Sequence, residues 1–286
     1  LPGMTLDPGF TPIAMQSAAP AGQGARTLAA TQDDTVVVRA VVDPARLDEL
    51  RSHPDVVAVW SDGLIAPFGD QEVLDVAPAF VDEARLFGPQ SSPPMALSEA
   101  MGVCPIGTCD CAPGTPKGTI ADVATYLGVN AIWAAGKRGE GIVVGVVDGG
   151  IRANGRTIKA GETSQPRLNR VIGGWPVASW GTTAAAWNDH GMMCGTDVLG
   201  MAPNAQLYDL RLSDGDALSN ALQAFQWAID RHRADGTPHV LSNSWGMFQQ
   251  SWAPDYTTNP NHPFTRKVVE AIDEGILVLF AAGNCG

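Results

Sequence analysis

GIVVGVVDGGI, residues 141–151, has the pattern of a buried strand that ends in one aspartate and a glycine turn. Its apolar, β-branched residues fit a strand covered on both faces of a parallel sheet. Asp148 stands at the carboxyl end of this strand, and Gly149 and Gly150 let the chain turn at once. Catalytic groups gather beyond the carboxyl ends of such strands, so Asp148 is a candidate functional residue. On this motif alone, an aspartate that only caps the next turn is an equal alternative.

The chain around this segment alternates helix and strand patterns from residue 119 onward. Helix patterns occupy residues 120–136, 216–236 and 263–275, and strand patterns occupy 141–148, 170–174, 205–212, 239–246 and 276–284. Strands that alternate with helices predict an α/β fold with a doubly wound parallel sheet. A dinucleotide site is not predicted, since Gly139 and Gly141 precede the strand instead of following it.

The composition divides the chain into four parts. Residues 1–33, rich in Ala, Gly, Pro and Gln, predict a flexible arm, and residues 34–65 predict a small strand-helix-strand unit. In that unit Asp43 is the expected N-cap of the helix, with Pro44 at its first position. Residues 66–118 are predicted to be a connector, and residues 119–286 form the part with the parallel sheet.

Charge and cysteine content narrow the class of protein. A net charge of −12 argues against a nucleic-acid partner, and no apolar run is long enough to predict a membrane span. The stretch CPIGTCDC holds Cys104, Cys109 and Cys111. A local disulfide, free thiols and a zinc site remain open for these cysteines, although no fourth ligand lies nearby in the sequence.

Four further motifs follow the aspartate strand in a fixed order. They are NDHGMMCG with His190, GMAPNAQL, LSNSWG with Ser244, Trp245 and Gly246, and LFAAGNCG with Asn284. With Asp148, these motifs make residues 126–286 resemble the subtilisin-like serine proteases. That family has an aspartate strand, a histidine helix, a Ser-x-Gly strand and an oxyanion asparagine in the same order. The resemblance implies a subtilisin-like fold and hydrolysis of peptide bonds by an Asp-His-Ser triad.

The resemblance also implies a role for each candidate residue. His190 would take the proton of a serine hydroxyl, while Asp148 would orient the histidine ring and stabilise its charged form. Asn284 would donate to the oxyanion, and the loss of such a donor raises a barrier by about 3 kcal/mol. Ser244–Gly246 would pair with an extended substrate, although Trp245 fits a core position equally well. No metal ligand is predicted. The resemblance implies no cofactor with certainty, and it leaves a structural calcium ion open.

Two positions depart from the family pattern. Gly149 stands where the family usually has Thr or Ser, and Gly-Met-Met follows His190 in place of Gly-Thr-His. Cys194 lies four residues after His190, where proteinase K-like members have a free cysteine beneath the histidine. Residues four apart share a helix face, so we expect a free, buried thiol there. The alternative is a disulfide, for which Cys285 is a candidate partner.

The nucleophile of the implied triad is not among these residues. The family's serine sits in a Gly-Thr-Ser motif downstream of the asparagine, and residues 1–286 contain no such motif. We expect a further segment with that serine, as a second polypeptide or a C-terminal fragment of the same domain. The alternative is a catalytically inactive subtilase-like binding or scaffold protein.

RSHPDVVAVWSDGLI, residues 51–65, resembles the later part of the inhibitory propeptide of these proteases. The resemblance implies a unit that assists folding and blocks the cleft, as in a zymogen, and an unrelated accessory fold is the alternative. A protease of this kind, with cysteines that fit a disulfide, is expected to be secreted and to act on peptide or protein substrates.

Overall fold

The computed structural model describes residues 1, 3–16, 32–67, 119–157, 166–183, 188–212, 217–247, 256 and 259–282. Most of the predicted connector, with its three cysteines, lies outside these residues, as does Asn284.

The N-terminal unit consists of two strand pairs and one short helix. Its elements are β1 (Met4–Leu6), β2 (Ile13–Gln16), β3 (Gln32–Val37), β4 (Ala40–Val42), a 3-10 turn (Pro44–Arg46) and α1 (Leu47–Arg51). β1 pairs antiparallel with β4, and β2 pairs antiparallel with β3. The carboxylate of Asp43 accepts the N–H of Ala45 at 2.9 Å, as expected of an N-cap before Pro44.

Two corrections apply to this unit. Residues 1–33 are not simply a flexible arm, because β1 and β2 lie within them; Ile13 and Met15 are 3% and 2% exposed, so these strands are held by apolar burial. The strand predicted over residues 55–65 does not form. Val57 is 79% exposed, and in this segment only Leu64 makes a β-bridge, with Ala217.

The remaining elements build the α/β part of the chain. They are β5 (Ala66–Pro67), α2 (Ile120–Tyr126), α3 (Val129–Ala134), β6 (Val143–Asp148), β7 (Val171–Trp175), α4 (Asn188–Met201), β8 (Gln206–Arg211), α5 (Leu218–Asp235), β9 (Val240–Asn243), β10 (Trp245–Gly246), α6 (Pro263–Asp273) and β11 (Leu277–Phe280). Five strands form a parallel sheet in the order β11-β9-β6-β8-β7. The predicted α/β fold with a parallel sheet is confirmed.

β6 is the central strand of this sheet, and it positions Asp148. All six of its residues are buried, because β8 and β9 flank it and core side chains cover both faces. In the register with β8, Asp148 lies beside Arg211. The only polar side chain of β6, that of Asp148, is therefore at the carboxyl end of the strand.

Two helices differ in detail from the sequence pattern. Residues 120–136 form α2 and α3 instead of one helix, because Gly128 adopts a φ of 72° between them. α5 ends where predicted, at Gly236, whose φ is 79°. Within the described ranges, no helix has the length and hydropathy needed to cross a membrane.

Candidate active site

Asp148 and His190 form a hydrogen-bonded pair at the carboxyl edge of the sheet. Asp148 is the last residue of β6, and His190 is the third residue of α4. The Nδ1 atom of His190 lies 2.9 Å from each carboxylate oxygen of Asp148. One of these oxygens also accepts the N–H of Gly149 at 2.7 Å. The structure thus brings together two residues that come from separate sequence motifs.

A backbone contact between two glycines fixes the distance between the segments that carry this pair. A Cβ atom on Gly191 would lie 2.3 Å from the carbonyl oxygen of Gly150 and 2.8 Å from its nitrogen. Gly150 itself has a φ of 122°, which side-chain-bearing residues rarely adopt. The turn after Asp148 can therefore touch the start of α4 only because both positions are glycine.

The carboxylate controls the charge of the histidine. Burial disfavours the imidazolium, but the hydrogen bonds to Asp148 and Cys194 and the charge of Asp148 outweigh burial and raise the pKa of His190 above its ordinary value. The His190 side chain is 16% exposed. Because Nδ1 faces Asp148, Nε2 is the ring atom left to exchange a proton with a reacting group.

Cys194 lies behind the histidine, one turn further along α4. It is free and 9% exposed, and its Sγ is 3.8 Å from Nδ1 of His190. The prediction of a free, buried thiol packed against His190 is confirmed in the structure. One ligand atom each from Asp148, His190 and Cys194 lies within 4.8 Å of the other two, so the trio could also hold a thiophilic metal ion.

β10 pairs with β5, an extended peptide segment that directly follows the N-terminal unit. Trp245 pairs antiparallel with Pro67, and Gly246 pairs with Ala66. The Trp245 side chain is 2% exposed and packs against Phe264, with ring centroids 5.5 Å apart. Trp245 is therefore a core residue whose backbone pairs with a neighbouring chain segment.

The same N-terminal segment is anchored along its length before it reaches β10. The Asp62 carboxylate accepts the N–H of Ser219 at 2.9 Å and its hydroxyl at 2.7 Å. The carbonyl of Gly63 accepts the N–H of Leu218 at 2.8 Å, so this segment caps the start of α5. Ile65 is 1% exposed and belongs to the apolar core that also contains Leu218.

Residues 139–286, just over half of the chain, match the sequence model described as the subtilase family. This chain belongs to the subtilase family. Curated relatives agree. The "Dibasic-processing endoprotease" of Schizosaccharomyces pombe is 29% identical over 181 residues, which is 56% of this chain and 23% of that protein. "Subtilisin BL" of Lederbergia lenta is 31% identical over 161 residues, which is 53% of this chain and 51% of that protein.

A third relative extends this result. The "Alkaline protease" of Alkalihalobacillus alcalophilus is 31% identical over 161 residues, covering 53% of this chain and 36% of that protein. The subtilase chain thus spans about half or less of the length of the relatives it matches.

The subtilase motifs also include positions that the structure does not describe. Asn284 and Cys285 lie outside the described residues, and so do Cys104, Cys109 and Cys111. Ser244 precedes β10 and is partly buried. Of the predicted site residues, the structure therefore places Asp148, His190 and the strand Ser244–Gly246.

Sequence reasoning missed two charged residues beneath this site. Asp209 and Arg211 of β8 are 0% and 8% exposed and bind backbone groups of the loops around Asp148 and before His190. A signal was present in the sequence, since the strand pattern AQLYDLRL has charged residues inside a strand that a parallel sheet buries. Charges in such a position need specific partners.

Proposed function

We propose that the protein containing this subtilase chain is a serine endopeptidase that hydrolyses peptide bonds by the subtilisin mechanism. His190 accepts the proton of a serine hydroxyl at Nε2, and Asp148 holds the ring in the required tautomer and stabilises the imidazolium. The serine comes from sequence outside residues 1–286, since no Gly-Thr-Ser motif occurs within them. Asn284 donates its side-chain amide to the oxyanion.

The observation that carries this proposal is the bonded pair of Asp148 and His190. The two atoms that must meet, a carboxylate oxygen and Nδ1, are 2.9 Å apart at the carboxyl edge of a parallel sheet. A histidine oriented by a carboxylate is the general base that activates a serine. The location agrees with the place where parallel α/β sheets collect catalytic groups.

Substrates in this proposal are extended peptides that pair with β10. The supporting observation is that a peptide segment of this chain, Ala66–Pro67, already pairs antiparallel with Trp245–Gly246. Main-chain pairing of this kind supplies affinity for any extended chain.

The N-terminal unit is proposed to be an inhibitory propeptide. Its contacts with the helices support this role: Arg39 donates to the Ser219 hydroxyl at 2.9 Å and to Asn220 at 3.0 Å. The buried ammonium of Lys267 on α6 donates to the Ala14 carbonyl of β2 at 3.2 Å. Since Ala66–Pro67 covers the strand where a substrate would pair, the protein would be a zymogen until this unit is removed. We also propose that the protein is secreted, which cell fractionation tests. A structural calcium ion belongs to the same proposal, and thermal unfolding with and without a chelator tests it.

A peptidase assay on the complete protein tests the catalytic role. We expect cleavage of peptide substrates that is lost in His190→Ala and kept in His232→Gln, which changes a histidine of α5 bonded to the Pro238 carbonyl. Equal activity in His190→Ala and wild type would refute the mechanism. A complete wild-type protein, freed of its N-terminal unit, that binds peptides without cleaving them would be a subtilase-like binding protein instead.

A further inference from the structure

We propose that Asp209 is a positioning residue for the Asp148–His190 pair, because its buried carboxylate binds both the turn after Asp148 and the segment around Gly181 that precedes α4. The kinetic part of this inference rests on the proposed protease function, whereas the structural part does not. Asp209 contacts neither a substrate nor the reacting atoms in this scheme and acts through Asp148 and His190.

Each oxygen of the Asp209 carboxylate holds one loop. Oδ1 accepts the N–H of Ile151 at 3.2 Å, in the turn three residues after Asp148. Oδ2 accepts the N–H of Gly181 at 2.5 Å, in the segment that leads toward α4 and His190. Because both oxygens act as acceptors, the ionised carboxylate binds these two backbone donors more strongly than the protonated acid does.

Arg211 holds the same two loops from a neighbouring position on β8. Its guanidinium donates to the carbonyl of Thr182 at 3.0 Å and to the hydroxyl of Thr182 at 2.5 Å. Its Cδ atom would be 3.0 Å from a Cβ on Gly150, so the arginine stem packs under the turn after Asp148. Leu212 follows and donates its N–H to the Asp148 carbonyl at 2.7 Å. The end of β8 thus contacts both the turn after Asp148 and the segment that precedes α4.

The charge state of Asp209 changes near neutral pH. Burial is the main cause that raises the pKa of Asp209, which is about 7, and the charge of Asp148 raises it further. The hydrogen bonds from Gly181 and Ile151 and the charge of Arg211 lower it. Arg211 on the same strand and Asp148 on β6 are the charged groups that act on it. When Asp209 is protonated, the oxygen that carries the proton becomes a weaker acceptor, so one of the two bonds to a backbone N–H is weakened.

Stability alone does not account for this carboxylate. Folding raises its pKa, so ionisation costs stability as the pH rises from the ordinary aspartate range to about 7. A carboxylate that stabilised the fold would show the opposite shift. The ionised carboxylate instead serves to hold the backbone of Ile151 and Gly181 in position.

The two amides that are hydrogen-bonded to Asp209 report its ionisation directly in the wild-type protein. In the complete wild-type protein, labelled with ¹⁵N, we expect the amide resonances of Ile151 and Gly181 to titrate together with one midpoint near pH 7. Asp209→Asn should abolish this shared titration, while Asp197→Asn, which neutralises an exposed carboxylate of α4, should leave it unchanged. Independent midpoints for the two amides, or a shared titration that persists in Asp209→Asn, would overturn the proposal.

Kinetics test the positioning role in the complete enzyme. We expect Asp209→Asn to lower kcat by about tenfold to a hundredfold with KM little changed, since a shift of about 1 Å in a catalytic group has this effect. The wild-type plot of log kcat against pH should be steeper below about pH 7 than above it, and Asp209→Asn should lose that extra steepness. A folded Asp209→Asn enzyme with wild-type kcat at every pH would overturn the role. If that variant does not fold, the wild-type amide titration still decides, and it does so even in a protein without peptidase activity.

Discussion

At the scale of single residues, one carboxylate sets the charge state of His190. Asp148 is 1% exposed and lies 2.9 Å from Nδ1, where its charge opposes the effect of burial on the ring. Asp148→Asn keeps the shape and removes the charge. We therefore expect the pKa of His190 to fall toward or below its ordinary value in this variant, as measured by NMR titration of the histidine ring protons. An unchanged pKa would show that Asp148 does not control this ring.

The direction of this shift has two consequences for pH dependence. In the proposed mechanism the general base must be neutral, so a raised His190 pKa should move the rise of activity to alkaline pH. The imidazolium is favoured in the folded state, so its contribution to stability is present below the unfolded pKa and is lost as the pH rises through the folded one. Asp148→Asn should remove this contribution, which urea unfolding at pH 5 and at pH 9 would detect as a larger loss at pH 5.

Cys194 leads to a second prediction at this scale. Its Sγ is 3.8 Å from Nδ1 of His190, and the side chain is 9% exposed, so a bulky adduct can fit only by moving the ring. The complete enzyme should lose about 99% of its activity to a small organic mercurial, because a displacement near 1 Å costs roughly a hundredfold in rate. Cys194→Ala should resist the same treatment. Thiol titration under denaturing, non-reducing conditions gives the opposing result if Cys194 appears only in a disulfide-linked peptide.

The residues that sequence reasoning found are those with short, ordered motifs. Asp148, His190 and Cys194 could be predicted because a strand end and one helix turn fix their relative positions. Asp209 could not be assigned a partner, because its hydrogen bonds reach Ile151 and Gly181, which are distant in sequence. Such contacts depend on how loops fold back over the sheet, and periodicity carries no information about them.

At the scale of elements, burial on both faces made the parallel strands predictable, while weakly packed segments were not. β6 and β8 follow their apolar patterns closely, whereas the strand predicted over residues 239–246 is divided into β9 in the parallel sheet and β10, which pairs with β5. Residues 55–65 have a similar apolar content but form no strand, because their backbone contacts are with the start of α5, and only the next two residues pair with a strand, β10. β1 and β2 were missed, since their few apolar residues are spaced among Gly and Pro.

The segment that contacts the start of α5 and leads to β5 supports a prediction at this scale. Ile65 is 1% exposed, and burial of such a side chain is worth about 2 kcal/mol, which corresponds to roughly thirtyfold in an equilibrium. Ile65→Asp should therefore open this contact at least about thirtyfold more often. Hydrogen exchange of the Leu218 amide measures the opening, because that amide donates to the Gly63 carbonyl. Val57→Asp, at a site that is 79% exposed, is the matched control. Equal exchange in the two variants would show that Ile65 does not anchor the segment.

At the scale of the whole molecule, a buried polar cluster links the N-terminal unit to the subtilase part. The Lys267 ammonium is 0% exposed and donates to the Glu270 carboxylate at 2.6 Å, to Gln226 at 2.6 Å and to the carbonyl of Ala14 in β2. Removal of the N-terminal unit would expose this ammonium to water. The N-terminal unit therefore covers a charged patch, and the residues that follow it cover β10, which agrees with the proposed propeptide role.

The other open side of the molecule is the sheet edge at β11, and it carries the last prediction. β11 pairs with β9 alone among the described strands, and Leu277 and Leu279 are 56% and 50% exposed. Soluble proteins rarely leave a long apolar edge uncovered. We therefore predict that a strand from outside residues 1–286, in the segment that also supplies the serine, pairs with this edge in the complete protein.

Hydrogen exchange of individual amides tests this pairing. The N–H group of Leu277 bonds to the carbonyl of His239, just before β9, and that of Ala281 bonds to the carbonyl of Asn243 in β9. The alternate amides between them, those of Val278 and Phe280, therefore point to the open edge. Val278 and Phe280 should exchange slowly in the complete protein and quickly in a polypeptide of residues 1–286, whereas Leu277 should be protected in any form that keeps β9 folded. Fast exchange of Val278 and Phe280 in the complete protein, beside a protected Leu277, would mean that β11 is a true edge and that the serine-bearing segment docks elsewhere.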